Sequence, residues 1–179
     1  MGRVAIAMML LAVATAFVPS APRAAEANML DYRIEGDAVP RPLGGLDGDA
    51  ARGVEIAVDR TRGNCLACHT VPSLDAPFQG RIGPSLKGVA KRLNVGQIRL
   101  RMIDQSRINP NTMMPPYYRV KGLANVAPEL RGKPALDAQE LEAYVRHAVQ
   151  QAGGRYQDVF AAGSIPALRT YSDGIARVV

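Results

Sequence analysis

The chain's only two cysteines, Cys65 and Cys68, stand three residues apart, and one of its two histidines, His69, follows at once. No other feature limits the fold as strongly, because a C-x-x-C-H run has three chemical uses and each needs a different protein around it. A redox dithiol of the thioredoxin kind sits at a helix N-terminus beside a βαβ unit, where the dipole lowers a thiol pKa. Here a helical pattern precedes the run, and no strand pattern of useful length appears. A structural zinc site needs four ligands, usually with a second pair further along. The run offers three at most, and His147 is the sole histidine or cysteine left to join them. The third use is covalent haem attachment. Two cysteines three apart lie on one side of a short helical turn, so their sulfurs can add to the two vinyl groups of one porphyrin. The next residue then points its imidazole at the iron. This use accounts for all three residues and leaves no cysteine for a disulfide. The residues favour one covalent haem c on Cys65 and Cys68, with His69 as the proximal ligand.

An iron held by one histidine has a second axial position for methionine, histidine or an open face. The chain has seven methionines. Met1, Met8 and Met9 fall in an N-terminal segment expected to be removed, and Met29 lies in an irregular arm. Met102 falls on a helical face and reads as core filler. Met113 and Met114 lie in "NPNTMMPPYY", a loop stiffened by prolines, which suits the holding of a weak thioether ligand. Either one could instead cover the haem edge. His147 is the competing ligand. It falls out of phase with Leu141, Tyr144 and Ala148, so it is expected near the edge of an apolar face, turned to solvent or a partner.

The first stretch, "MGRVAIAMMLLAVATAFVPSAPRAAEA", has the layout of a secretory signal peptide. Arg3 comes first, the run from Val4 to Val18 is apolar, and small residues follow Pro19. An uncleaved anchor is the alternative, but the apolar run is shorter than the roughly 20 residues that span a bilayer. A signal over 1–25, cut between Ala24 and Ala27, is expected, and no later stretch is apolar enough to span. Export places the mature chain in the periplasm, an oxidising compartment. The formal net charge of +6 falls to about +4 when Arg3 and Arg23 leave with the signal. No basic helix or stripe with interleaved aromatics marks a nucleic-acid reader. The arginine excess points instead to an acidic protein partner.

Behind the signal, residues 28–47 are rich in proline and glycine and read as an irregular arm. A first helix can start at Asp49 as N-cap and stack Val54, Ala57 and Val58. Residues 70–92 read as loop. A second helix starts at a capping box of Asn94 and Gln97, with Val95, Ile98 and Met102 on one face, and Asn109-Pro110 sets its end. The third starts at a capping box of Asp137 and Glu140 and places Leu141, Tyr144, Val145 and Ala148 on one face, with Gly153-Gly154 as its stop. The resulting layout is an arm at 28–47, an all-α domain at 48–153 and a polar tail at 154–179.

The pieces "GDAARGVEIAVD…GNCLACH", "IGPSL" and "NPNTMMPPYY", with the final amphipathic helix, resemble the class I cytochromes c. That likeness implies N- and C-terminal helices crossing over a covalently bound haem, with Gly53 and Tyr144 at the crossing. It also implies that the Pro84 carbonyl orients His69 and that Met114, in its T-x-M-P setting, is the distal ligand. "GDAVPRPLGGLDGDAARG", "RGNCLACH" and "MPPYYRVKGLANVAPELRGKPAL" resemble more closely the SoxX family of mono-haem cytochromes, over roughly residues 36–150. That likeness implies a subunit of a SoxAX-like L-cysteine S-thiosulfotransferase, which joins thiosulfate to a cysteine of a carrier protein and removes two electrons. The chemistry is then expected on a SoxA-like cytochrome partner in a heterodimer. This chain would have no catalytic residue of its own and would relay electrons to a downstream cytochrome c acceptor. A free periplasmic shuttle without a dedicated partner is the competing reading. The tail from Gly154 has no counterpart in the family pattern.

Overall fold

Asp49, Asn94 and Asp137 each open a helix by the same device, a short side chain that accepts a bond from an otherwise unpaired backbone N–H. In the computed structural model, which describes residues 29–151, Asp49 accepts from Ala51 N at 2.9 Å and starts α1, Ala50–Val58. A four-residue helix α2, Val89–Arg92, comes next. Asn94 and Gln97 form a full capping box, each side chain taking the other's N–H at 2.9 Å, and start α3, Val95–Asp104. Asp137 and Glu140 do the same for α4, Ala138–Gln150. Short 3₁₀ turns lie at Leu43–Gly45, Cys65–Ala67, Gln105–Arg107 and Pro128–Leu130. Among the described residues the only β pairing is an isolated bridge between Glu35 and Ala38, and no helix is long and apolar enough to cross a membrane. The fold is all-α. The signal expected at 1–25, the tail expected at 154–179 and the Gly153-Gly154 stop lie outside the described residues.

The core is the seam that α4 makes with α1 and α3. Ile56 and Ala57 of α1, with Val95, Ile98, Leu100, Met102 and Ile103 of α3, pack with Leu141, Val145, Ala148 and Val149 of α4. Full burial of one such leucine or isoleucine contributes about 1.5–3 kcal/mol. At Gly53 the two helices approach so closely that any side chain would run into the Ala143 carbonyl and the His147 Cβ.

Three sequence expectations need correction. The buried face of α1 is Gly53, Ile56 and Ala57, not Val54, Ala57 and Val58; Val58 is 44% exposed. The bare Gly53 lets that side of α1 pack directly on the Ala143 carbonyl and the His147 Cβ of α4. Helix α3 ends at Asp104, before Asn109-Pro110, because the Asp104 carboxylate accepts from Ser106 N and Oγ and caps a 3₁₀ turn of its own. The segment 70–92 is not all loop, since α2 starts after Gly88, whose φ of +59° favours a residue without a side chain.

The arm is tied down by charge. Arg99 and Glu142 are both fully buried and paired through two bonds, Nε–Oε1 at 2.7 Å and Nη2–Oε2 at 3.0 Å. Arg99 Nη1 also donates to the Val39 and Pro40 carbonyls, and Glu142 Oε1 accepts from Leu43 N at 2.9 Å. Val39 N donates to the Gly96 carbonyl. Residues with no regular structure of their own are thereby fixed to α3 and α4.

Candidate functional site

The C-x-x-C-H run leaves α1 through a tight bend. Asp59 accepts from Thr61 N and Oγ1, and its carbonyl takes the Asn64 N–H at 2.8 Å. Asn64 then adopts φ +47°, a left-handed conformation that asparagine tolerates better than most residues. The chain enters the Cys65–Ala67 turn, and His69 N donates back to the Cys65 carbonyl at 2.9 Å. Cys65 is buried while Cys68 and His69 are half-buried. Tyr117 Oη donates to the Gly63 carbonyl at 2.7 Å, so the loop after Met114 grips the entry to the run. Tyr144, from α4, hydrogen-bonds Cys65.

Burial pushes the Cys65 thiol up to about 11. A reactive dithiol depends on the opposite shift, a thiolate stabilised near neutral pH. Among the described residues no three histidine, cysteine, aspartate or glutamate side chains come together as metal ligands. The raised Cys65 thiol pKa counts against the redox use of the motif.

His69 Nδ1 lies 2.7 Å from the Pro84 carbonyl oxygen. A carbonyl only accepts, so Nδ1 carries the proton and Nε2 keeps its lone pair. Gly83 lies against the imidazole and has no space for a side chain. Its N–H donates to the Cys68 carbonyl at 2.8 Å, and Leu86 N donates to the Thr70 carbonyl at 2.9 Å. The ring is therefore held at one nitrogen, with its tautomer set and the other nitrogen available as a ligand. That is the state an imidazole needs to bind a metal through Nε2, and these residues fit a haem iron.

The two candidate distal methionines differ. Met113 is 81% exposed, whereas Met114 is half-buried against the core, with its N–H on Thr112 Oγ1. Backbone bonds from Tyr117 N to Met102 O and from Tyr118 N to Ile103 O anchor the loop just beyond them. Met102 is in the core.

His147 is not at a solvent-facing edge. It is 7% exposed, burial lowers its pKa, and its Nε2 has no hydrogen-bond partner among the described residues. The reason is Gly53, which lets α1 close over the side of α4 where a larger residue would have held it off. Gly53 of α1 and Tyr144 of α4 both lie on the two helices that cross. The atoms nearest to Gly53 are those of Ala143 and His147, and Tyr144 hydrogen-bonds Cys65. Sequence reasoning also missed Tyr117 as the clamp on Gly63, because nothing local ties residues so far apart.

The fold has the helix order, the C-x-x-C-H turn and the oriented histidine of a class I cytochrome c. No known family profile matches the chain, and no curated protein matches it. A solved structure does. The chain is 31% identical to a chain in the crystal structure of SoxXA from P. pantotrophus, over 67% of this chain and 93% of that one, with a TM-score of 0.62. The chain belongs to the SoxX family. Its all-α architecture is the class I cytochrome c-like fold. As a SoxX-family chain it is related to the cytochrome subunits of SoxAX-type complexes.

Proposed function

We propose that this chain is the electron-transfer subunit of an exported SoxAX-like complex, with one haem c bound through Cys65 and Cys68. The observation that carries the reading is the Pro84 carbonyl on His69 Nδ1 at 2.7 Å, which leaves Nε2 as a free ligand beside the two cysteines. His69 would be the proximal ligand. Met114 would be the distal one, because it is packed inward while Met113 is exposed. When bound, the haem supplies one-electron redox chemistry, and thioether ligation would raise its potential so that it accepts electrons readily. Tyr117, through the Gly63 carbonyl, and Tyr144, through its hydrogen bond to Cys65, both hold the attachment turn.

In the proposed reaction, the outer sulfur of thiosulfate bonds to the cysteine sulfur of a carrier protein, and the thiol proton passes to water. The two electrons released leave singly through this chain to a downstream cytochrome c acceptor. The SoxA-like partner would hold the reacting sulfurs, so this chain needs no catalytic residue. The signal-like N-terminus supports a periplasmic location.

The test has two parts. Mass spectrometry of protein from cells competent in cytochrome c maturation should show one haem that resists acid-acetone extraction; an unmodified chain would overturn the haem assignment. Thiosulfate-dependent reduction of a cytochrome acceptor should require this chain together with the SoxA-like partner and the carrier. Equal activity without it, and no complex on gel filtration, would make it a general shuttle.

A further inference from the structure

We propose that the groove between the arm, the turn after α3 and the stretch beyond Met114 is a binding site for a small dianionic oxyanion of the sulfate or thiosulfate kind, held by Arg107, Arg119 and Lys121. No residue of the C-x-x-C-H run and neither candidate distal methionine lines it, so it is a second site on the chain. It depends neither on a partner nor on the electron-transfer reading.

The groove holds about 740 Å³ and takes its walls from three separate segments. The arm gives Tyr32, the turn after α3 gives Ser106 and Arg107, and the later stretch gives Tyr118, Arg119 and Lys121. These segments are fixed to one another. Tyr118 Oη accepts from Leu30 N at 2.7 Å, and the Tyr32 and Tyr118 rings lie 6.3 Å apart. The buried Asp104 carboxylate is fully engaged. Its Oδ1 accepts from Ser106 N and Oγ, and its Oδ2 pairs with Arg119 Nη1 at 2.8 Å and Arg107 Nε at 3.4 Å. Arg119 Nη1 also donates to Ser106 Oγ at 3.1 Å. One buried acid therefore holds both guanidinium groups side by side.

Charge and unspent donors decide the ligand. Among the described residues no carboxylate lines the groove, and the three cations set against Asp104 leave a net charge of about +2. A dianion balances that charge, whereas chloride would leave half of it. Both terminal nitrogens of Arg107, Nη2 of Arg119 and the Lys121 ammonium have no partner among the described residues. Planar guanidinium forks pair with two oxygens of one oxyanion, and an ammonium adds a third contact. Burial raises the Tyr32 pKa, with Arg107 and Arg119 near enough to act on it in the opposite sense, so its hydroxyl stays protonated as a further donor. Position adds a consequence. Arg107 and Arg119 bracket the loop that carries Met113 and Met114. An anion that bridges them closes that loop at its stem.

The experiment is calorimetric titration of the holoprotein with sodium sulfate, and separately with sodium thiosulfate, at an ionic strength held constant with sodium chloride. Each ion should bind at one saturable site, and the tighter of the two identifies the ion the groove favours. Arg107→Gln and Lys121→Gln each remove one exposed cation while Arg119 still pairs with Asp104, so both should fold, with an unchanged haem spectrum as the check. Each should weaken binding about tenfold, the loss of one charge-assisted hydrogen bond. Lys91→Gln, which removes the same charge from α2 outside the groove, should leave binding unchanged. Saturating sulfate should also slow hydrogen exchange through residues 106–122. No saturable binding of either ion would overturn the inference. So would equal weakening in all three variants, which would assign the heat to the overall charge of the chain. Full affinity in both Arg107→Gln and Lys121→Gln would put the ion elsewhere and also overturn it. Each of these failures would leave the haem and subunit readings standing.

Discussion

The arm at 29–47 and the loop at 71–83 are both irregular, yet they are held in opposite ways. The arm hangs on two fully buried charges, Arg99 and Glu142, which take its backbone groups at Val39, Pro40 and Leu43. The loop hangs on one neutral amide, Gln79, and on backbone bonds to the C-x-x-C-H turn. A buried ion pair is costly to desolvate and very costly to break, so it locks whatever completes its hydrogen bonds. A half-exposed amide adds order at little risk. The arm is therefore part of the fold, while the loop is a surface structure that can be altered without endangering it. Lack of helix or strand says nothing by itself about how firmly a segment is fixed.

Removing the acid at the arm's anchor should have the largest effect. Glu142→Ala leaves the Arg99 guanidinium buried without its carboxylate and strands the Leu43 N–H. The expected loss is about 3–5 kcal/mol, measured by denaturant unfolding of the holoprotein. The arm should come free first, seen as new proteolytic cuts between 38 and 45 while the C-x-x-C-H turn stays protected. A loss of less than about 1 kcal/mol would show that the arm is held by its apolar residues and not by the pair.

Gln79→Ala should have a smaller and separate effect. Three hydrogen bonds disappear, but solvent reaches part of the loop, so the expected loss is about 1–2 kcal/mol. Hydrogen exchange should quicken at Val71 and through the loop and stay unchanged at Val39 and Leu43. Faster exchange in both regions would mean that they open as one unit, and the contrast between them would fail.

How much of this was legible in the sequence follows the same division. The capping boxes at Asn94 and Asp137, the C-x-x-C-H turn and the apolar face of α4 each lie within one or two helical turns, so a local pattern records them. The Pro84 contact to His69 was reached only through the family likeness, since nothing in the spacing implies it. The Arg99–Glu142 pair escaped notice because its members are 43 residues apart and each looks like an ordinary charged residue on an amphipathic helix. The groove cations escaped in the same way, since Arg107, Arg119 and Lys121 have no periodic signature and only the fold gathers them with Tyr32 around one groove. His147 was misplaced by about one helical position, because periodicity gives the phase of a helix but not how closely a neighbour bearing a glycine will approach it.

That misplacement supplies the smallest prediction, and it belongs to the arm's side of the molecule. His147 sits on the α1–α4 seam against Gly53, with its ring 6.2 Å from that of Tyr144. Burial lowers its pKa in the folded state below the ordinary histidine value of about 6.5. The unfolded chain therefore takes up this proton at a higher pH than the folded chain does. Stability from the neutral histidine is complete above about pH 6.5 and is lost as pH falls from there toward the folded pKa, below which both states are protonated and the loss levels off. His147→Gln removes the titrating group while keeping a polar side chain. Its unfolding free energy should fall less steeply than wild type's between about pH 6.5 and 5. The difference should appear as faster exchange in α1 and α4 at the acid end, with the 71–83 loop unaffected. Parallel pH profiles for the two proteins would mean that the seam relaxes to let water reach Nε2, and the acid sensitivity would have to be sought at another group.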